Sequence, residues 1–372
     1  MFALASRYFG LVSETFVTAH AMRLAPGRSA FVTHTEAPIP AFNGPFLCDI
    51  GQRPRAYEAD GTPRSPRPAL PLGKVKPLRD RAVARFLRET GTDVMMTEFG
   101  GMGVEMAAPA RAAGVKLHVH FHGYDASSHL RFPKIVKAYQ TLFTQAEGFI
   151  TPSRFIADNL VGIGCPADRI TVVPCGVEAA NFPPSTRSPG LCMAVGRFVE
   201  KKAPLTTIGA FAKIAEAHPE ARLDYIGDGP LWEEAKAAVA QAGLGDRIRL
   251  LGSQPHDVVR KTMGEASFFL QHSVTSSNGD TEGLPVAIME AMSAGLTIIS
   301  TRHSGIPEAV IEGESGALVD EHDLDAMARE LDRLLADPDL AAGYGAAARV
   351  RLLENFTLDH AIDKLQHAMG LS

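Results

Sequence analysis

Apolar residues along the chain fall in short runs, punctuated by Gly and Pro and separated by stretches with helical spacing, a βαβ rhythm. In the first half this pattern predicts buried strands at 93–97 (DVMMT), 115–121 (VKLHVHF), 149–151 and 170–173, the last closed by Pro174. Between the first two, a Gly-rich turn at 99–103 (FGGMG) opens a helix through Ala113. Ser153 is placed to cap a helix over 153–162, because its hydroxyl can accept from an unpaired first-turn N–H. Residues 175–190 (CGVEAANFPPSTRSPG) are dense in Pro, Ser and Gly and read as a domain linker. The rhythm then restarts, with strands at 191–195, 223–226, 248–251, 267–270 and 297–300. Residues 358–369 form an amphipathic helix with Ala361, Leu365 and Met369 on one face.

Strands that alternate with helices imply parallel sheets, since parallel neighbours need a crossover connection. The expected fold class is α/β: two Rossmann-like parallel-sheet domains, residues 1–178 and 190–352, facing across a cleft. The segment 353–372 is expected to pack back toward the first domain. A length of 372 residues suits two such domains. In open α/β sheets ligands sit beyond the carboxyl ends of the strands, so chemistry is sought in the loops that follow them.

Charge changes this picture only in part. Residues 1–178 hold 20 Lys+Arg against 15 Asp+Glu, and residues 179–372 hold 17 against 27, so +5 and −10 sum to the net −5. A basic first half suits an anionic acceptor or an anionic membrane surface, and chance surface variation accounts for it equally well. Residues 53–81, with eight Arg/Lys and six Pro, read as an extended basic loop. Cys48, Cys165, Cys175 and Cys192 have neither metal-ligand nor disulfide-framework spacing and read as buried thiols in a reducing compartment. The chain lacks a long apolar run and a signal-peptide pattern, so it reads as cytoplasmic, with peripheral attachment at the inner membrane face a further expectation. Basic residues are not interleaved with aromatics, which argues against nucleic acid.

Three constellations carry candidate chemistry. In EGLPVAIME (282–290), Pro285 marks a helix start and Gly283 permits close backbone approach. The amides near Gly283, Leu284 and Ala287, with the helix dipole, suit a diphosphate. Glu290 is placed to accept from ribose hydroxyls and Glu282 from sugar hydroxyls, although two Glu at this spacing alone are weak evidence. VGRFVEKKAP (195–204) follows a strand directly, so Arg197 and Lys202 emerge at its carboxyl end and can neutralise a leaving diphosphate without metal. HVHFHGYD (118–125) alternates His118, His120 and His122 along one strand face. A metal site is not expected there, as no carboxylate or Cys clearly completes a ligand set. His122, followed by Gly123, is the one placed to reach a cleft, and a structural role competes with that reading.

The combination of HFHGYD, GRFVEKKAP, GDGPL (227–231) and EGLPVAIMEAMSAG, with ITVVPCGVEAANF closing the first half, resembles the family 4 glycosyltransferases of the GT-B fold. HFHGYD and the early SETF (13–16) resemble the bacterial exopolysaccharide branch, of colanic-acid or amylovoran type. The resemblance implies a retaining, metal-independent enzyme with an acceptor-side first domain and a donor-binding second domain. Its donor would be a UDP- or GDP-hexose and its acceptor a glycan or lipid-linked precursor. It implies that Glu290 binds the ribose, Glu282 the donor hexose, and Arg197 and Lys202 the diphosphate, helped by amides at Gly283 and Leu284. Gly10 would approach the diphosphate, Ser253 and Gln254 would meet the base, and His122 would lie beside the anomeric centre. The chain departs from the family pattern at Ala203, where Gly is usual, and at Cys175 and Glu178. The pairs Asp323/Asp325 and Asp337/Asp339 read as solvated helical faces, not metal ligands. A nucleotide-sugar epimerase of similar fold and a non-catalytic nucleotide-sugar-binding protein are the rival readings.

Overall fold

The computed structural model describes residues 1–9, 15–34, 42–48, 55–57 and 76–371. It divides into two compact units, Met1–Val173 with Ala361–Ser372, and Pro174–His360.

Among the described residues the first unit is built on eight strands: β1 Phe2–Ser6, β2 Ser29–Thr33, β3 Phe46–Cys48, β4 Arg55–Tyr57, β5 Val94–Glu98, β6 Lys116–His120, β7 Gly148–Thr151 and β8 Ile170–Val172. Their spatial order is β4-β3-β2-β1-β5-β6-β7-β8, parallel except for the antiparallel β3/β4 pair. Strands β1, β2 and β5 are buried at every position, as expected for strands covered on both faces. The order reverses between β1 and β5, so the crevice at that switch point is where a ligand is expected. The helix Gly100–Ala113 starts directly after β5. Ser153 caps the helix Arg154–Gly162 by accepting from the Ile156 N–H.

The second unit is a wholly parallel six-stranded sheet: β9 Leu191–Val195, β10 Arg222–Ile226, β11 Ile248–Leu250, β12 Phe268–Gln271, β13 Thr297–Thr301 and β14 Gly316–Val319. The order β11-β10-β9-β12-β13-β14 is that of a dinucleotide-binding sheet, with its switch point between β9 and β12. Successive residues feed opposite faces: Cys192 and Ala194 join one apolar cluster with Phe211 and Leu223, and Met193 joins the other with Phe269 and Ile288. The expected α/β class with two Rossmann-like domains is what the molecule has.

Two local expectations are corrected. Residues 175–190 are not a free linker. Ser185 N donates to Ala294 O at 2.9 Å, Thr186 N to Gly264 O at 2.9 Å, and Val177 N to Phe356 O at 3.0 Å. Backbone groups fixed this way belong to the second unit. The basic stretch 53–81 is not wholly irregular either. It contains β4 and the first turns of the helix Lys76–Glu89, whose Pro77 falls where a missing N–H is harmless. Residues 58–75 lie outside the described residues. The helix Leu358–Met369 buries Ala361, Leu365 and Met369, and Gln366 Nε2 donates to Leu24 O at 3.0 Å in the first unit. All four cysteines are buried, and none is joined in a disulfide. Among the described residues no helix is long and apolar enough to cross a membrane.

Candidate active site

In the second unit the loop after β9 is tied to the loop after β10 by backbone bonds. Gly196 N donates to Ile226 O at 3.0 Å, Phe198 N to Asp228 O at 2.9 Å, and Leu231 N to Phe198 O at 2.9 Å. This contact explains the GDGPL motif. A Cβ on Gly227 (φ 145°) would lie 1.9 Å from Gly196 O, and one on Gly229 (φ 155°) 2.7 Å from Phe198 O. Phe198 is buried in the core while its neighbour Arg197 is exposed. Among the described residues the Arg197 guanidinium has no hydrogen-bond or ion-pair partner.

The turn Glu200–Lys202 leads into Ala203 at φ 37°, ψ 56°, a left-handed conformation that suits the glycine usual there. Lys202 Nζ lies 3.3 Å from Glu282 Oε1, and the two side chains are only 14% and 11% exposed. Burial pulls the Lys202 ammonium below its ordinary range, opposed in part by Glu282. Burial also pushes the Glu282 carboxyl up, but Lys202, Lys201 and His303 more than offset it and hold it low. The Glu282 carboxyl is therefore ionised beside the Lys202 side chain. Lys201 anchors the same two loops, donating to Asp280 Oδ1 at 3.1 Å and Thr281 O at 3.3 Å. Glu200 accepts from Ser277 N and Oγ, both at 2.7 Å.

Glu282 is fixed from behind by residues after β13. Its N–H donates to His303 Nε2 at 3.1 Å, while His303 Nδ1 meets Glu321 Oε1 at 2.6 Å. Ser304, at φ 49°, donates to the carbonyls of Glu282 and Gly283, and Gly305 N donates to Gly283 O at 3.0 Å. With those carbonyls turned toward 304–305, the N–H groups of Gly283, Leu284, Val286 and Ala287 donate to no partner among the described residues. They open the helix Val286–Ser293, whose dipole adds positive potential for an anion. Glu290, buried among apolar residues of that helix, accepts from His256 Nε2 at 3.0 Å. That hydrogen bond raises the His256 pKa above its ordinary value. Ser253 is exposed, and Gln254 Nε2 bonds back to Leu251 O in the turn before His256.

Arg197, Lys202, Glu282, Gly283 and Leu284 thus occupy the two loops at the β9/β12 switch point, and Glu290 the following helix. Sequence reasoning missed His256, His303, Ser304 and Glu321. His303 and Ser304 follow β13 directly, the strand-end signal that exposed Arg197. The Asp pairs are more than solvated faces. Asp323 and Asp337 cap helices by accepting from Ala326 N at 2.7 Å and Leu340 N at 3.0 Å, while Asp325 pairs with Lys213.

The first unit carries its own polar cluster where β5 and β6 end. Glu98 is fully buried; its Oε1 lies 2.7 Å from His20 Nδ1, and its Oε2 lies 2.9 Å from His122 Nε2 and 3.2 Å from His120 Nδ1. The sequence shows no carboxylate that clearly completes a ligand set with the histidines, and the β5/β6 pairing brings Glu98 beside two of them. His118 stands apart, its ring beside Gly148. Burial drives the His118 and His120 pKa values down to about 4, so both rings are neutral. His20, Glu98 and His120 offer ligand atoms within 4.8 Å of one another, with His20 Nδ1 and Glu98 Oε1 at hydrogen-bond distance. Gly10 lies outside the described residues.

Two family models cover most of the chain: Glycosyltransferase Family 4 over residues 45–181 and Glycosyl transferases group 1 over residues 182–351. The amylovoran biosynthesis glycosyltransferase AmsK of Erwinia amylovora is 35% identical over 281 residues, 74% of this chain and 69% of that protein. The colanic acid biosynthesis glycosyltransferase WcaL of Salmonella typhimurium is 35% identical over 272 residues, 71% of this chain and 67% of that one. Anabaena HepE in complex with UDP superposes over the whole of both chains with a TM-score of 0.82 at 15% identity. Sucrose-phosphate synthase of Thermosynechococcus elongatus gives 0.75 at 18% identity, over 98% of this chain and 97% of that one. The chain belongs to the family 4 glycosyltransferases, and its two units have the GT-B fold.

Proposed function

We propose that this glycosyltransferase is retaining and metal-independent, and that it moves a hexose from a UDP- or GDP-sugar to a hydroxyl of a lipid-linked or polysaccharide precursor at the inner face of a membrane. The observation that carries the reading is the second unit's switch point. A largely buried Lys202–Glu282 ion pair, an exposed Arg197 and amides at Gly283, Leu284, Val286 and Ala287 that have no partner among the described residues lie in loops tied together by backbone bonds. As the bond from sugar to phosphate stretches, negative charge grows on the departing diphosphate. Cations and amides already oriented for that charge lower the barrier without reorganising. Glu290 accepts from the ribose hydroxyls, Ser253 and Gln254 meet the base, and Glu282, kept ionised by Lys202, accepts from the hexose hydroxyls. His122 contacts the transferred sugar. The departing phosphate oxygen takes the acceptor proton, so the site needs no separate base. UDP in the HepE complex supports the donor class, and the names of AmsK and WcaL support an exopolysaccharide acceptor.

The test is hydrolysis of UDP- and GDP-hexoses without acceptor, in EDTA, followed by proton NMR. The expected first product is the sugar with the donor's anomeric configuration. An inverted first product, or strict dependence on Mg or Mn, overturns the reading.

A further inference from the structure

The buried carboxylate of the first unit has no part in the reading above, and its surroundings identify one. We infer that Glu98 is the positioning residue for His122, fixing which ring nitrogen carries the proton and which way the ring faces. The inference rests on the proposed role of His122.

Glu98 ends β5, and its carboxylate lies wholly inside the unit. Three imidazoles face it, from the helix Thr15–Arg23 (His20), from the last position of β6 (His120) and from the loop beyond (His122). An ionised carboxylate only accepts, so the 2.9 Å contact to His122 Nε2 makes that nitrogen the donor. In a neutral ring Nδ1 is then the acceptor. Burial works against the Glu98 charge, but the surrounding imidazoles more than offset it and keep the carboxyl well below its ordinary range. His20 occupies the other oxygen at 2.7 Å, so the carboxylate cannot turn away from His122.

Three further features hold the ring. Phe16 and Phe99 lie against it, with centroids at 4.5 and 4.6 Å. Phe99 does so from φ 69°, a conformation costly for an aromatic residue and retained only where neighbours over-determine it. The His122 backbone is tied as well: its N–H donates to Asp125 Oδ1 at 2.8 Å, while Gly100 N donates to Asp125 Oδ2 at 2.7 Å. Ring, tautomer and backbone are each fixed separately, more than packing a structural histidine requires.

The experiment uses full-length protein with 15N-labelled histidine, comparing wild type, Glu98→Gln, Glu98→Asp, His122→Ala and the Glu98→Gln/His122→Ala double variant. Wild type should show His122 as an Nε2–H tautomer, assigned from the signals lost in His122→Ala, and Glu98→Gln should show a mixture. In UDP- and GDP-hexose hydrolysis, Glu98→Gln should lower kcat by about ten- to hundredfold, the scale for losing a group that orients a functional histidine. KM should hold, Glu98→Asp should recover part of the loss, and the double variant should fall no further than His122→Ala. Unchanged His122 signals in Glu98→Gln would overturn the inference. So would a Glu98→Gln loss that multiplies with that of His122→Ala, since the two would then act separately. If His122→Ala keeps full turnover, the reading of His122 fails instead, and the nitrogen spectra still decide whether Glu98 sets its tautomer.

Discussion

Replacing Lys202 by Met removes a charge from a buried pair and leaves its partner in place. At 3.3 Å the attraction is about 5 kcal/mol at an effective dielectric constant of 20. The measured loss on breaking a buried pair is about 3–5 kcal/mol, because the survivor stays desolvated. Lys201 and His303 also favour the Glu282 charge, so the expected loss is near the lower end, about 3 kcal/mol. For a unit of this size each kcal/mol moves the midpoint by about 2–4 °C, which gives a fall of about 6–12 °C for nucleotide-free protein at pH 7 in calorimetry. The sign with pH is fixed too. Glu282 has a depressed folded-state pKa, so the pair's contribution is present above the ordinary carboxyl range and fades as pH falls through the folded value. The gap between wild type and Lys202→Met should therefore narrow on acidification. Adding Glu282→Gln should recover most of the lost stability without restoring turnover. A midpoint within 1–2 °C of wild type, or a double variant less stable than the single, would refute the buried-pair argument.

Gly227→Ala would place a Cβ 1.9 Å from Gly196 O; it should cost more than about 2 kcal/mol and weaken UDP and GDP binding by displacing the Arg197 loop, as read by calorimetry and titration. Ala203→Gly should raise stability by about 0.5–1 kcal/mol, the left-handed penalty less the added chain entropy of glycine, and equal midpoints would argue against strain there. His256 has a raised pKa from its Glu290 contact, so that contribution is complete below the ordinary histidine pKa and vanishes as pH rises through the folded value. Wild type and His256→Ala should differ in thermal midpoint at pH 5.5 and converge at pH 9.

Much of the second unit was legible because its strands are short apolar runs and its charged residues follow them. Arg197 and Lys202 stand out as cations directly after a strand, and Glu282 as an acid directly before a proline-marked helix. Strands β1 (FALAS) and β2 (SAFVT) were not anticipated. A short, wholly buried apolar run has no alternation to separate strand from buried helix. The Glu98 cluster was invisible for another reason: its members are 78 and 24 residues apart, and only the lateral order β1-β5-β6 brings them together. The left-handed φ of Phe99 and Ser304 likewise comes from tertiary contacts, since neither residue type signals it. The segment 175–190 misled because Pro and Ser mark irregular backbone, whether that backbone is free or bonded down.

The proposed function requires the second unit to hold a nucleoside diphosphate through Arg197, Lys202 and the helix amides, with Glu290 on the ribose. Isothermal titration of UDP, GDP and the matching monophosphates into wild type, Arg197→Ala and Glu290→Ala tests this directly. Arg197→Ala should erase most of the preference for diphosphate over monophosphate, while Glu290→Ala should weaken both by a similar factor. Wild-type affinities for all four nucleotides in both variants would contradict it.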